Sequence, residues 1–141
     1  PKISLSTNGW VPSPIFGKAL YYKGYIAHGW FEKTRYQSAA FLHQKFFYLQ
    51  GRMIKDRLKL SVGLIHNAQW GGRNLSSEIS QPTGIKNYAR VFLGGAGGSD
   101  ALTTDQLNVL GNHLGTYDLS ASFDFKDFSI NIRYNAIENL I

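Results

Sequence analysis

The chain has 141 residues, 43% hydrophobic and 14% aromatic, with 15 Lys and Arg against 9 Asp and Glu, four His and no Cys, a length that suits one average domain. The aromatic content and low charge exclude disorder, no apolar run is long enough for a transmembrane helix, and the missing cysteines remove disulfide scaffolds, thiol catalysis and cysteine zinc sites together. A transmembrane β-barrel stays open, because its strands alternate and never form such a run. The sequence starts at Pro1 without a basic-then-apolar leader, so it reads as a mature protein or as a fragment. The net charge of +6 suits nucleic acid, anionic lipid head groups or an acidic polysaccharide. The basic residues are scattered and form no nucleic-acid module, so nucleic acid is disfavoured.

In chain order, Lys2 to Ser6 is expected as a first strand, ended by the Asn8-Gly9 turn signal and by Pro12 and Pro14. Residues 19 to 31 (ALYYKGYIAHGWF) and 41 to 50 (FLHQKFFYLQ) are rich in aromatic and β-favouring residues, with blurred alternation, and are expected as strands. In residues 58 to 70, Leu58, Leu60, Val62, Leu64, Ala68 and Trp70 fall on one side and Lys59, Ser61, Gly63, Asn67 and Gln69 on the other. His66 interrupts the first row and Ile65 the second.

Residues 71 to 113 form one long connection rich in Gly, Ser, Asn and Thr. Ile85, Tyr88, Ala89 and Phe92 fall at helical spacing within it, with Thr83 as the expected start cap and Gly94-Gly95 as the end. A connection this long inside a compact domain counts either against the assignment or in favour of function. Beyond it Tyr117, Leu119, Ala121, Phe123 and Phe125 alternate with Thr116, Asp118, Ser120, Ser122 and Asp124, and after Lys126-Asp127 the pattern resumes through Phe128, Ile130, Ile132, Tyr134 and Ala136. Pairing Phe125 with Phe128 sets Leu119 opposite Tyr134 on a fully apolar face, and Asp118 opposite Asn135 on a fully polar one. The register is firmer than the turn type, since Lys-Asp is not a favoured primed-turn pair.

An apolar row is usually the buried face of a soluble sandwich. The order of connections favours another reading: 126 to 127 and 51 to 57 at one end are short, while 32 to 40 and 71 to 113 at the other are longer, and only 7 to 18 is out of place. Long strands, short turns at one end and a large loop at the other mark an outer-membrane barrel. Trp30 and Trp70 near the upper strand ends, and Tyr21, Phe125 and Phe128 near the lower, suit interfacial belts. The expected fold is thus all-β: antiparallel up-and-down strands of a transmembrane outer-membrane β-barrel, residues 1 to 141 forming part of one barrel domain, with 71 to 113 as an extracellular loop carrying a short helix. The apolar row would face lipid, and Asp118, Asp124, Arg133 and Asn135 the lumen. About six strands cannot close such a barrel, because single-chain examples begin at eight.

Five stretches, GYIAHGWFEKTRY (24 to 36), FLHQKFFYL (41 to 49), GLIHNAQWGG (63 to 72), YARVFLGGAGGSD (88 to 100) and LNVLGNHLGTYDLS (107 to 120), resemble, in this order, the Bacteroidetes branch of the Wzi-type capsule assembly proteins. The resemblance spans most of the chain. It implies a monomeric barrel in the bacterial outer membrane, in contact with outer-membrane lipid and lipopolysaccharide, of which this chain supplies roughly the middle third. It also implies a protein that is not an enzyme and uses no cofactor, and, carried over from the enterobacterial relatives, lectin-like binding of capsular or other surface polysaccharide. No sugar-contact motif of those relatives aligns here, so no binding residue is transferred.

From the residues themselves, a polysaccharide site wants aromatic rings to stack on sugars, and amides and cations to bond hydroxyls and carboxylates. Gln69, Trp70 and Arg73 at the start of the long loop, with Tyr88 and Arg90 on its helix, are the expected binding cluster. The competing reading is a Trp membrane anchor, a Tyr that packs the loop, and Arg residues paired with Glu78 or Asp100. His28, His43, His66 and His113 lack ligand spacing, so structural histidines are preferred to a metal site. The GGAGGSD run lacks the order of a phosphate loop and reads as turn chemistry. Asp118 and Asp124 are about 20 Å apart along a strand, too far for paired acid and base work, and no Ser-His-Asp set can be assigned. Two further readings are a porin-like transport barrel whose permeability is set by Asp118, Arg133 and Asn135, and a soluble β-sandwich carbohydrate-binding module.

Overall fold

Alternation at the C-terminal end produces the hairpin that its period predicts. β6 (Asn112–Asp124) pairs antiparallel with β7 (Ser129–Leu140), with Asp118 opposite Asn135, Leu119 opposite Tyr134 and Phe123 opposite Ile130. The Phe125 amide donates to the Phe128 carbonyl at 2.8 Å across the turn. The rest of the computed structural model, which describes residues 1–76, 79–99, 101, 103–108 and 110–140, continues the same meander. β1 (Lys2–Ser6), β2 (Val11–Ser13), β3 (Gly17–Trp30), β4 (Gln37–Met53) and β5 (Leu58–Asn74) precede the long connection. The antiparallel order is β1-β3-β4-β5-β6-β7, with β2 also paired to β3. The sheet is not closed: β1 and β2 line one edge and β7 the other.

Several expected boundaries are corrected. The 7 to 18 stretch is not a misplaced loop. β1 pairs with Tyr25 to Gly29 of β3 and β2 with Gly17 to Tyr22, so the two form a single lane interrupted at residues 7 to 10. The Thr7 amide still donates to the Gly24 carbonyl at 3.0 Å. β4 begins at Gln37 and β5 runs to Asn74, because Ala39, Gly71 and Gly72 all take positive φ and let the ladder bend and resume, Ala40 with Gly71 and Ser38 with Arg73. A Cβ on Gly72 would meet the Ser38 carbonyl oxygen at 3.0 Å, so glycine permits this approach.

Pairing register makes the two faces of the sheet explicit. One carries Leu60, Val62, Leu64, Leu119, Ile130, Ile132 and Tyr134, and the other Gln50, Ser61, Asp118, Ser120 and Arg133. Tyr21 belongs to the polar face, opposite Gln50, where the Arg52 guanidinium lies 3.6 Å from its ring centroid. It is therefore not part of an apolar belt. The exposed Phe125 and Phe128 stack at 4.5 Å at the lower end.

The long connection folds back on the sheet. Ser80 bridges to Arg73, and the Gln81 amide donates to the Gly72 carbonyl at 2.8 Å. α1 (Ile85–Leu93) then lies on the upper part of the apolar face, followed by a short α2 (Thr104–Asn108) that the sequence pattern did not announce. The start cap is Gly84, one residue past the expected Thr83, and no side chain caps it. Thr83 instead offers its carbonyl to Asn87 Nδ2 at 2.9 Å. The end is as expected: Gly94 is left-handed and the Gly95 amide donates to the Arg90 carbonyl at 2.8 Å.

The buried face of α1 differs from the expected one. Ile85 is 84% exposed and Ala89 is exposed, whereas Asn87 and Val91 are buried. The helix is turned by about one residue, 100°, toward the aromatic shelf beneath it. Ala68, Trp70, Val91 and Leu110 form a core there, with Phe41 and Tyr88 packed against it. Burial of the Val91 and Leu110 side chains contributes about 1.5–3 kcal/mol each.

Candidate functional site

At the upper end the strands bring all four histidines together on the face under α1. Register sets His28 opposite His43, His43 opposite Ala68 and Ala68 opposite His113, with His66 one row below, opposite Lys45. His113 Nε2 lies 2.8 Å from the Leu110 carbonyl. A carbonyl only accepts, so the proton is on Nε2 and Nδ1 is the acceptor for His66 Nε2–H at 2.7 Å. The Tyr88 hydroxyl lies 3.3 Å from His43 Nδ1, and burial pushes this phenol up from its ordinary value. Lys45 Nζ donates to the Phe92 carbonyl in the last turn of α1 and sits over the Phe92 ring, a cation where the helix dipole favours one. His28 Nδ1, His43 Nε2 and His66 Nδ1 are buried without a hydrogen-bond partner among the described residues. Among the described residues no group of three or more His, Asp or Glu is arranged to hold a metal ion.

The expected binding cluster is distributed over this architecture. Trp70 is only 4% exposed, with Phe41 at 4.9 Å and Tyr88 at 5.6 Å between ring centroids. Its indole faces are taken by protein, so it is neither stacked against solvent nor a belt residue. Tyr88 is half-buried and packs the loop onto the sheet. Gln69 points to the opposite face, where its Nε2 donates to Gln37 Oε1 at 2.7 Å. Arg73 stands at the end of β5. Arg90 donates to Asn87 Oδ1 at 2.7 Å and is overlain by Gly98, where a Cβ would fall 2.3 Å from its guanidinium. The glycine run thus wraps an arginine closely. Glu78 and Asp100, the partners considered for these arginines, lie outside the described residues.

The polar face holds the second constellation, and here Asp118, Asp124, Arg133 and Asn135 do share one surface. Asp118 is 2% exposed. Its carboxylate accepts from Arg133 Nε at 2.9 and 3.2 Å, from Arg133 Nη2 and from the Tyr48 hydroxyl at 2.7 Å. With its amide nitrogen turned inward, Asn135 adds a bond to Asp118 Oδ1 at 3.0 Å. A buried carboxylate needs such a complete set of partners. Lys59 pairs with Asp124 at 2.6 Å, and Gln50 bridges Ser61 at 3.1 Å and Arg52 at 2.8 Å.

Sequence reasoning did not single out Tyr48, Gln50, Lys23 or Trp10, which complete this surface. A signal for Tyr48 was present. Gly63 lies between Tyr48 and Asp118 in the register, and a Cβ on it would fall 2.1 Å from the Tyr48 ring, so the glycine gives the large side chain room to cross one strand and reach the carboxylate. Trp10 arrives over the same face from the interruption of the edge lane, with its ring 6.3 Å from that of Tyr48 at 83°.

Together these groups wall a cavity of about 570 Å³ on the lower polar face. Its chemistry is that of hydroxyl and carboxylate recognition: amides, hydroxyls, three cations and three aromatic rings. In comparison with known proteins, the chain matches no family model, no curated protein and no solved structure.

Proposed function

We propose that this chain is a stretch of an outer-membrane β-barrel of the Wzi-type capsule assembly family, and that the full-length protein holds capsular or other surface polysaccharide at the bacterial outer membrane without enzymatic chemistry. The observation that carries the membrane part is the bare apolar face. Leu64 is 54% exposed, Ile132 67% and Tyr134 63%, and they adjoin Val62, Leu60 and Leu119 in one continuous surface, where a soluble monomer rarely shows an apolar patch beyond a few hundred Å². The apolar row from Phe128 to Ala136 covers about 27 Å of strand, which at a tilt near 40° spans roughly 20 Å, close to the apolar band of such barrels. No helix among the described residues is long and apolar enough to cross a membrane. The polar face would line the lumen, and the connection from 75 to 111 would stand at the extracellular end. The polysaccharide part rests on the resemblance and on the hydroxyl-binding chemistry of the polar face.

The full-length protein is expected to need detergent and to migrate faster unheated than boiled on a denaturing gel. A folded monomer fully soluble without detergent overturns the membrane reading. Cells lacking the protein are expected to shed surface polysaccharide into the medium, and unchanged retention overturns the attachment reading. A transport barrel would conduct steadily in planar bilayers, and such conductance by the full-length protein favours the porin-like reading over attachment.

A further inference from the structure

We propose that the cavity on the lower polar face is a binding site for an acidic oligosaccharide, with the Trp10 indole as stacking platform and Lys23 as the cation that meets the ligand's carboxylate. This rests on the polysaccharide reading and specifies where and by what charge the glycan is held.

The backbone supplies the first argument. An edge lane that only needed to pair with β3 could run straight from Ser6 to Val11. Instead four residues, Thr7 to Trp10, occupy the space opposite Lys23 and Gly24, since Ser6 pairs with Tyr25 and Val11 with Tyr22. Gly9 takes the left-handed φ of 73° that this detour requires. Bulges of this kind re-aim side chains beside functional sites, and the side chain re-aimed here is a half-buried indole over a polar wall. A ring of that size with a polar surround is the usual platform for a pyranose.

Charge supplies the second. Three cations line the cavity, Lys23, Lys59 and Arg133. Lys59 is paired with Asp124 and Arg133 with Asp118. Lys23 has no carboxylate partner among the described residues and rests over the Phe46 ring at 5.6 Å. Arg133 spends Nε and Nη2 on Asp118, so Nη1 is held in a fixed orientation for a second acceptor. The site therefore carries a net positive charge, with one oriented guanidinium nitrogen and one ammonium, and its volume lies within the roughly 300–1,000 Å³ of small-ligand sites. At the other end a cavity of about 550 Å³ beside the loop cluster is walled mainly by His28, Trp30, Phe41, Trp70 and Tyr88 and, among the described residues, by no Lys or Arg, so it offers no cation to a carboxylate.

The test uses the full-length protein in detergent, with tetragalacturonate as probe and maltotetraose as its neutral counterpart, each titrated by calorimetry. The acidic probe is expected to bind at least about tenfold more tightly and to weaken with added salt. Trp10→Ala is expected to lower its affinity about tenfold or more and Trp10→Phe by less, while Lys23→Gln lowers it about fivefold and flattens the salt dependence. Heat-modifiable migration of each variant checks folding. Equal binding of both probes, or affinity for tetragalacturonate unchanged in both Trp10→Ala and Lys23→Gln, overturns this site while leaving polysaccharide attachment standing. Absence of binding by either probe, together with unchanged polysaccharide retention in cells lacking the protein, overturns both.

Discussion

The same face of the same sheet behaves differently in its upper and lower parts. Under α1 it carries His43, Ala68, Trp70 and His113, each at most 4% exposed. Four residues further down the strands it begins to carry Leu, Val, Ile, Phe and Tyr side chains that are roughly half exposed. Where protein covers the sheet, the residues are small, or ringed with polar nitrogens, and each is fitted to a particular neighbour. Where nothing covers it, they are hydrocarbon and aromatic groups whose only polar atoms are the tyrosine hydroxyls at the ends of exposed side chains. The difference is the one the proposed membrane setting predicts, since lipid chains supply dispersion and ask for no geometry, whereas a jigsaw core does.

Four perturbations break or sharpen that comparison. The largest effect is expected from Trp70→Ala, which empties the centre of the covered part at a cost of about 3–5 kcal/mol. Hydrogen exchange should then show lost protection in α1 while β6 and β7 keep theirs, and equal loss in both regions would dissolve the distinction. Next, Val62→Arg in the bare part of the full-length protein should cost about 2–4 kcal/mol in lipid vesicles, against little for Ser61→Arg on the opposite face. Equal costs for the two would mean that the bare part does not meet lipid.

A smaller penalty, about 1–3 kcal/mol, is expected for Gly63→Ala, whose Cβ displaces the Tyr48 ring from Asp118. A double-mutant cycle with Tyr48→Ala checks this, because the penalty should largely vanish once the ring is absent. The smallest effect is acid loosening of the covered part. Adding a proton to His113 Nδ1 turns the acceptor of the His66 bond into a donor, so protection around Leu110 should fall in acid. His113→Ala should remove that dependence, and a pH dependence that survives it would place the sensor elsewhere.

The hairpin of β6 and β7 could be read from the sequence position by position, because one face is uniformly apolar and a slip of one residue would invert it. The same parity argument placed Asp118, Asp124, Arg133 and Asn135 on one face. Features that depend on distant neighbours could not be read in this way. The apolar period of α1 picks out Ile85 and Ala89, but the shelf made by Phe41, Trp70 and His43 decides the buried side, and it selects Val91 and the hydrogen-bonded Asn87 instead. The four histidines are scattered from 28 to 113 in the chain and meet only because four strands align them. Trp70 reads equally as belt, binding or core residue until the path of the long connection is known. α2, at five residues, is too short to leave a period at all.

The interrupted lane at residues 7 to 10 also bears on how an added strand would find its place. β7 offers an unbroken ladder of 12 residues, along which an incoming strand could slide in steps of two and still match donors to acceptors. The opposite edge is split into ladders of 5 and 3 residues separated by the bulge. A strand joining there can satisfy both pieces in only one alignment. The sheet thus has one permissive edge and one keyed edge, and an assembly that docks the keyed edge fixes its shear before the permissive one closes.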